Sequence, residues 1–454
     1  MKLRQLRSPW LLIFGFFIIG YMVGEHGERI VSAVTDKNYE NLKLFSDVLY
    51  IIQKDYVEEP KVDQLVEGAI NGMLNTLDPH SSYMPPDVYK EMQVETQGKF
   101  GGLGIEITIK DDLLTIVSPI EDTPAYQAGI KAGDQIVKIG EEFTKNMTMF
   151  DAVKKLRGKE GTKVTLTIMR EGFTQPKDFT LTRATIQIKS VKSKIVDERI
   201  GYIRITQFQE QTTRDFRKAL AELESKVPSL QGLILDLRNN PGGLLESAVE
   251  VSDEFIDSGL IVYTEGRSEG QRMEFKAKNN GNKHHYPMIV LVNAGSASGS
   301  EIVAGALQDY GLAVLLGTRT FGKGSVQTVI PLDNGAGLRL TTAKYFTPKG
   351  RSIHAKGIEP DVIVEDKTED KTETGEASSP KVKIMREKDL ENFYRNGKLK
   401  EKSEDVSKDV SKDVSKDVSG KKQEETADDP PLNRAIGILK SWEIFKGKDN
   451  NKPA

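Results

Sequence analysis

Between residues 39 and 92 apolar side chains recur at helical spacing, with Leu42, Phe45, Val48, Leu49 and Ile52 in one set and Leu65, Ala69, Met73 and Leu77 in another. That spacing predicts a small helical region. From 98 to 183 the pattern shifts to short β-rich runs, 105–109, 113–117, 135–139 and 163–169, separated by Gly, Pro and Asp and interrupted by one helix-like stretch at 148–156. After about Ile186 the two patterns alternate. Strands are expected over 201–208, 232–237, 288–292 and 313–316, and helices near 215–225, 244–255 and 301–310. Such alternation predicts an α/β domain.

The two ends follow other rules. Lys2, Arg4 and Arg7 precede an uncharged, mostly apolar run over 8–24, the order expected of a membrane-inserting segment. A small-x-small cleavage pattern occurs only at Val31-Ser32-Ala33, beyond the charges at Glu25, Glu28 and Arg29, so an uncleaved anchor is expected rather than a removed signal peptide. Positive charge ahead of the run places the bulk of the chain outside the cytoplasm. Residues 367–429 hold few large apolar side chains, many charges and a tandem Asp-Val-Ser-Lys repeat over 405–419. A segment of this kind cannot bury enough surface to offset its ordering entropy, and a disordered linker is expected. Ile436, Leu439 and Trp442 then restore helical spacing, which predicts a short helix over 432–445 that docks back.

Composition narrows the chemistry. The chain has 454 residues, room for about three domains at ~150 residues each. Its net charge of −3 supplies no positive field for nucleic acid, which is not expected as a partner. The absence of cysteine removes disulfide scaffolds, thiolate zinc sites, iron–sulfur clusters and cysteine nucleophiles together. Five histidines, His26, His80, His284, His285 and His354, are scattered without a His-x-x-x-His pair, so neither a metal nor another cofactor is expected.

The informative segment is Asn293-Ala294-Gly295-Ser296-Ala297-Ser298-Gly299-Ser300-Glu301, which follows an apolar strand and opens an apolar-periodic helix. A serine at such a turn can expose its hydroxyl where backbone N–H groups and the positive helix end stabilise an oxyanion. The competing explanation is a Ser/Gly-rich helix cap without chemistry. The nucleophile-elbow pattern Gly-x-Ser-x-Gly does not fit, because Ala297 occupies its centre. No histidine lies near in sequence. Lys323, in Thr320-Phe321-Gly322-Lys323-Gly324-Ser325, follows the next strand, and one helix-strand return can bring it back to the serine. Buried among apolar neighbours, its amine would lose proton affinity and could act as a general base, with Gln327 four residues on able to aim it. Gly317 to Lys323 also fits the phosphate-loop spacing, but Gly324 stands where Ser or Thr would hold magnesium and extended segments follow instead of a helix. Asn240-Pro241-Gly242-Gly243 ends another strand and can point backbone N–H groups into a site, although Gly-rich strand-to-helix turns are also common without function. Gly101-Gly102-Leu103-Gly104-Ile105 heads the first strand of the β-rich module, where successive N–H groups can capture a terminal carboxylate and the strand edge can pair with an extended peptide. A plain glycine turn is the alternative there.

Taken together, these segments resemble the carboxy-terminal processing peptidases, also called tail-specific proteases, over residues 39–364. Gly72-Met73-Leu74 with Leu77-Asp78-Pro79-His80-Ser81 is similar to the family's helical N-terminal region. The Gly-Leu-Gly-Ile loop and the stretch from Ala128-Gly129 to Ile136 are similar to its PDZ domain, and the Asn-Pro-Gly-Gly, Ser-Ala-Ser and Phe-Gly-Lys-Gly segments are similar to its catalytic core. The resemblance implies an α/β, crotonase-like protease core with a small helical N-terminal region and an inserted, β-rich PDZ domain. The chain then divides into an anchor or signal segment (1–33), a helical region (34–96), the PDZ domain (97–183), the serine protease core (184–366), the charged linker (367–429) and a C-terminal helical segment (430–454). Carried over by position, it implies Ser298 as nucleophile, Lys323 as general base, Gln327 as the residue orienting it, and an oxyanion hole from the backbone N–H of Gly299 and of Gly242 or Gly243. Where the family usually has alanine after the nucleophile this chain has Gly299, and because the donor is backbone the role survives. Leu103, Gly104 and Ile105 would bind the substrate's tail, and His80 has no catalytic role implied.

The function implied is a serine endopeptidase of the cell envelope, ATP-independent and metal-free, that cleaves the C-terminal region of protein substrates. Its partners would be proteins with exposed C-terminal tails and the membrane, and the resemblance allows an adaptor protein and a homo-oligomer. The alternative from another class is a membrane-tethered PDZ scaffold with an inactive core. The joint presence of Ser298, Lys323 and Gln327 argues against it.

Overall fold

The computed structural model describes residues 36–110, 113–278, 284, 286–365, 385–395 and 429–449. The expected anchor over 1–33 lies outside these residues, as do the tandem repeats. Among the described residues, no helix is long and apolar enough to cross a membrane. The chain forms two compact units, Met1–Thr76 and Leu77–Ala454. In the first, the helices Asp36–Asp55 and Val62–Leu74 carry the predicted helical periodicity, and Leu42, Phe45, Val48 and Ile52 of the longer one are all exposed.

The second unit holds a β-rich module and an α/β core. In the module, the strands Ile105–Lys110, Leu113–Pro119, Gln135–Ile139, Lys163–Met169 and Lys177–Thr182 form one antiparallel sheet in the order first, second, third, fourth, fifth, so that Ile105–Lys110 sits at its edge. The helix Met149–Leu156 is capped by Thr148, whose hydroxyl accepts from the Asp151 N–H, and buries Ala152 and Leu156 with Ile116, Ile136, Leu166 and Ile168. Lys99–Gly102 and Ala184–Gln187 pair antiparallel where the chain enters and leaves the module.

The core is built on a sheet in which Val191–Val196, Ile200–Ile205, Gly232–Asp236, Met288–Val292, Val314–Gly317 and Val362–Ile363 lie side by side. All but the first pair are parallel. Met288–Val292 is five consecutive buried apolar residues, as a central parallel strand covered on both faces must be. Its side chains alternate. Met288, Val290 and Val292 join the cluster containing Phe216, Leu220, Val251, Val303 and Leu307 from the helices Thr212–Lys226, Leu245–Asp253 and Gly299–Asp309. Ile289 and Leu291 face the other way, onto Leu432, Ala435 and Leu439 of the helix Pro430–Asp449. Gly232 makes that approach close, since a Cβ there would lie 2.8 Å from a Leu439 methyl group.

Several elements differ from the sequence pattern. Ser82–Met84, within the region expected to be helical, is a short strand paired with Gly337–Phe346 in a second sheet that also holds Leu260–Gly266, Met273–Lys276 and Ser325–Pro331. The segment expected to be a disordered linker contains the helix Glu387–Arg395. Its first residue, Glu387, is fully buried, and its N–H donates to the Phe321 carbonyl. This anchoring is polar, so a count of large apolar residues does not register it.

Candidate active site

The carboxyl ends of the parallel strands bring three loops together, the place where open α/β sheets bind ligands. The loops follow Gly232–Asp236, Met288–Val292 and Val314–Gly317. They are tied by short polar contacts: the Ser296 hydroxyl donates to the Leu237 carbonyl at 2.8 Å, the Ala297 N–H to the Asn240 carbonyl at 3.0 Å, the Ser300 hydroxyl to the same carbonyl at 2.9 Å, and the Phe321 N–H to the Ser296 carbonyl at 3.0 Å.

Ser298 stands at the head of the helix Gly299–Asp309 with φ 51° and ψ −110°. A non-glycine residue pays about 1–3 kcal/mol for such a backbone and keeps it only where the surroundings dictate it. The surroundings are explicit. Glu301, with no exposed surface, accepts the Ser298 N–H on Oε2 at 2.9 Å and the Gly322 N–H on Oε1 at 2.8 Å, together with the Lys323 N–H and the Thr320 hydroxyl. One buried carboxylate therefore fixes the backbone of Ser298 to that of Gly322, the residue before Lys323. Burial pushes its pKa up to about 7, against the four hydrogen bonds that favour the ionised form.

Lys323 is largely buried, and burial lowers the pKa of its amine from the ordinary lysine value. The positive charge of Arg339 lowers it further, while Glu387, Glu301 and Asp78 pull the other way. Among the described residues, no hydrogen bond or ion pair holds the amine. The Ser298 hydroxyl, for its part, is in hydrogen-bonding contact with the Tyr345 phenol, whose pKa burial pushes up to about 12. Tyr345 comes from Gly337–Phe346, and its N–H donates to the Gly324 carbonyl at 2.7 Å, beside Lys323. Gln327 donates to the Ser325 hydroxyl at 3.0 Å and the Thr341 hydroxyl at 3.2 Å.

Two backbone N–H groups are candidates for an oxyanion hole. Gly299 is the first helical residue, where no intrahelical acceptor exists, and Gly242 packs against its nitrogen, with Gly243 next in the chain. Among the described residues neither N–H has an acceptor, whereas the Gly242 N–H is spent on Asn240 Oδ1 at 2.9 Å. Of the two glycines expected to donate, Gly243 is therefore the one with an available N–H. Both need to be glycine: Gly242 has φ 103° and a Cβ there would lie 2.8 Å from Ser298 Cβ, while at Gly243, φ 136°, it would lie 2.0 Å from the Phe208 carbonyl oxygen. Sequence patterns alone did not single out Glu301, Thr320 or Tyr345. The Ser-x-x-Glu spacing from Ser298 was the available signal for Glu301, but it reads first as a helix cap.

In the β-rich module, Leu103 is buried and Gly104 has φ 76°, with no room for a Cβ against Thr123. Among the described residues, the N–H groups of Leu103 and Gly104 have no acceptor. A groove runs from them between Ile105 and Ile107 on the sheet edge and Val153 and Leu156 on the helix. This arrangement can hold an extended chain end by its carboxylate and an apolar side chain.

Comparison with known proteins gives the family of the chain. Residues 199–364 match the profile of Peptidase family S41, 24–88 that of the Activating protease CtpB N-terminal domain, and 91–169 that of the PDZ domain. The chain is 47% identical over 356 residues to the carboxy-terminal-processing protease of Bartonella bacilliformis, covering 77% of this chain and 82% of that protein. It is 42% identical to the carboxy-terminal processing protease CtpA of Bacillus subtilis, covering 69% and 67%. Among solved structures, the photosystem II D1 C-terminal processing protease is similar at 29% identity and a TM-score of 0.43, over 73% of this chain and 94% of that one.

Proposed function

The chain belongs to the carboxy-terminal processing protease family and is a serine peptidase, and we propose that Ser298 is its nucleophile, Lys323 its general base and the N–H groups of Gly299 and Gly243 its oxyanion hole. The observation that carries this reading is the buried Glu301 carboxylate, which binds the backbone of Ser298 and of Gly322, the residue before Lys323, at once. In the reaction the Ser298 hydroxyl turns from Tyr345 toward the neutral amine of Lys323, which takes its proton as the oxygen attacks the scissile carbonyl. The oxyanion is held by the two N–H groups, the amine returns its proton to the leaving nitrogen, and water repeats the sequence on the acyl-enzyme. Gln327 sits four residues from Lys323 on the strand Ser325–Pro331 and is assigned the role of orienting the amine once the serine engages it.

Leu103, Gly104 and Ile105 capture the free carboxylate and last side chain of a protein tail, and Ile105–Lys110 offers its edge to the extended chain behind them. No step requires ATP. The positive flank ahead of residues 8–24 supports a site of action in the cell envelope, outside the cytoplasm, with the N-terminal segment as anchor. The exposed apolar residues of Asp36–Asp55 support a second copy as the partner of that helix.

The test is degradation of a protein ending in a disordered apolar tail, without nucleotide. Ser298→Ala should retain the fold and lose turnover to background, and Lys323→Met should do the same. Wild-type-like degradation by Ser298→Ala would remove the proposed nucleophile.

A further inference from the structure

Beside the Lys323 loop, and apart from the groups assigned to chemistry, two segments distant in sequence bring together nitrogen and carboxylate donors. Glu387 and Glu391 are one turn apart on the helix Glu387–Arg395, and His354 comes from the loop after Gly337–Phe346. One donor atom from each lies within 4.8 Å of the others. His354 Nε2 is 2.8 Å from Glu391 Oε1. Glu387 has no exposed surface: its Oε1 is held by His80 Nε2 at 2.7 Å, while Oε2 is buried without a hydrogen-bond partner. The second ring nitrogen of His354, Nδ1, is also buried and unpartnered. A buried carboxylate oxygen left unpaired costs several kcal/mol unless a cation or donor meets it.

We propose that His354, Glu387 and Glu391 bind a divalent transition-metal ion of the Zn²⁺ type. Imidazole with carboxylates suits zinc rather than magnesium or calcium, which prefer all-oxygen shells. Metal–donor bonds of about 2.0–2.2 Å in a tetrahedron set the donors roughly 3.3 Å apart, a spacing that rotamer adjustment within this cluster supplies. His80 plays the outer part, fixing the carboxylate by one oxygen and leaving the other for the ion. The ion takes no part in the peptide chemistry. Because the Glu387 N–H donates to the Phe321 carbonyl, and a Cβ on Gly324 would lie 2.2 Å from the backbone nitrogen of His354, its effect is to fasten the helix Glu387–Arg395 to both sides of the loop that carries Lys323.

This inference stands independently of the dyad, so its test uses the full chain carrying Ser298→Ala, which prevents self-digestion. Equilibrium dialysis against Zn²⁺ alone should give a saturable site that His354→Gln and Glu391→Gln each remove or weaken by roughly tenfold or more, and that His80→Gln weakens by about 10–100-fold. Zn²⁺ should raise the melting temperature of the parent and leave that of His354→Gln unmoved, with a parent-like circular dichroism spectrum of each variant in a chelator as the check on folding. X-ray absorption of the bound ion should show nitrogen and oxygen neighbours with imidazole scattering. Unchanged stoichiometry and affinity in His354→Gln and Glu391→Gln, or no saturable binding to the parent, would overturn the proposal.

Discussion

Lys323 and Glu301 carry the pH behaviour of the site, in opposite senses. In the proposed role of general base Lys323 would work only when neutral, so activity should rise with pH as its amine loses its proton, and burial should move that rise below the ordinary lysine range. Arg339 contributes by charge, so Arg339→Gln should shift the acid limb of the kcat/KM profile to higher pH while leaving the plateau near its original height. A profile whose limb stays in place would show that the limb belongs to another group. Glu301 has a folded-state pKa of about 7, above its unfolded value near 4.5. Its contribution to stability is full below the unfolded value and is lost as pH rises through about 7, worth about 3 kcal/mol across that window. In Glu301→Gln the window should flatten when denaturant midpoints are followed from pH 4.5 to 8. Turnover should fall as well, because an amide NH₂ would face at least one of the N–H groups now bound. The serine, the lysine and the glycines were legible in the sequence because each sits at a fixed offset from an apolar strand. Glu301 was visible only as a cap, and Tyr345 not at all, since its contact with Ser298 spans 47 positions and depends on the pairing of Ser325–Pro331 with Gly337–Phe346.

At the level of elements, what the sequence disclosed follows burial. Met288–Val292 and Gly232–Asp236 are covered on both faces, so the first is an unbroken apolar run and the second holds Leu233, Ile234 and Leu235 in succession, and their limits could be read almost to the residue. Ser82–Met84 and Met273–Lys276 lie at the ends of their sheet and are only three and four residues long, too short for an alternating pattern to be read. The helix Pro430–Asp449 was readable by its spacing, but its anchor was not. Arg238 forms a buried pair with Asp236 at 2.7 Å and reaches Asp429 at 2.8 Å, and Asp429 in turn caps the helix by accepting the Leu432 N–H at 3.1 Å. Burial disfavours the arginine's charge, but these two carboxylates more than reverse that and raise its pKa. Asp429→Asn leaves the cap in place and removes half of the counter-charge, which should cost about 1–3 kcal/mol in urea unfolding and expose the amides of Pro430–Asp449 to faster hydrogen exchange. Unaltered exchange in that helix would show that Leu432, Ala435 and Leu439 dock it unaided.

For the whole molecule the question is how the proposed tail-reading groove and the proposed peptide-cutting site, on different sheets, would act on one chain. The module's helix Met149–Leu156, which lines the groove, also reaches back to the helix Pro86–Gln97: Lys154 pairs with Asp87 at 2.6 Å, and Arg157 with Glu91. Pro86–Gln97 follows directly on Ser82–Met84, whose partner strand Gly337–Phe346 carries Tyr345. A covalent and hydrogen-bonded path thus leads from the groove to the residue that engages the Ser298 hydroxyl. If capture of the tail is what commits a substrate, the terminal carboxylate matters although no bond near it need break. A substrate ending in a carboxamide should lose the charge-assisted hydrogen bonds to the Leu103 and Gly104 N–H groups, about 1.5–3 kcal/mol, and kcat/KM should fall roughly 10–100-fold relative to the free acid. Where the tail only tethers, the loss falls on KM and kcat is kept. Where the path also turns the Ser298 hydroxyl away from Tyr345, kcat falls with it, and Tyr345→Phe should restore part of the lost kcat. Equal kcat/KM for acid and carboxamide would mean that the groove does not read the chain end.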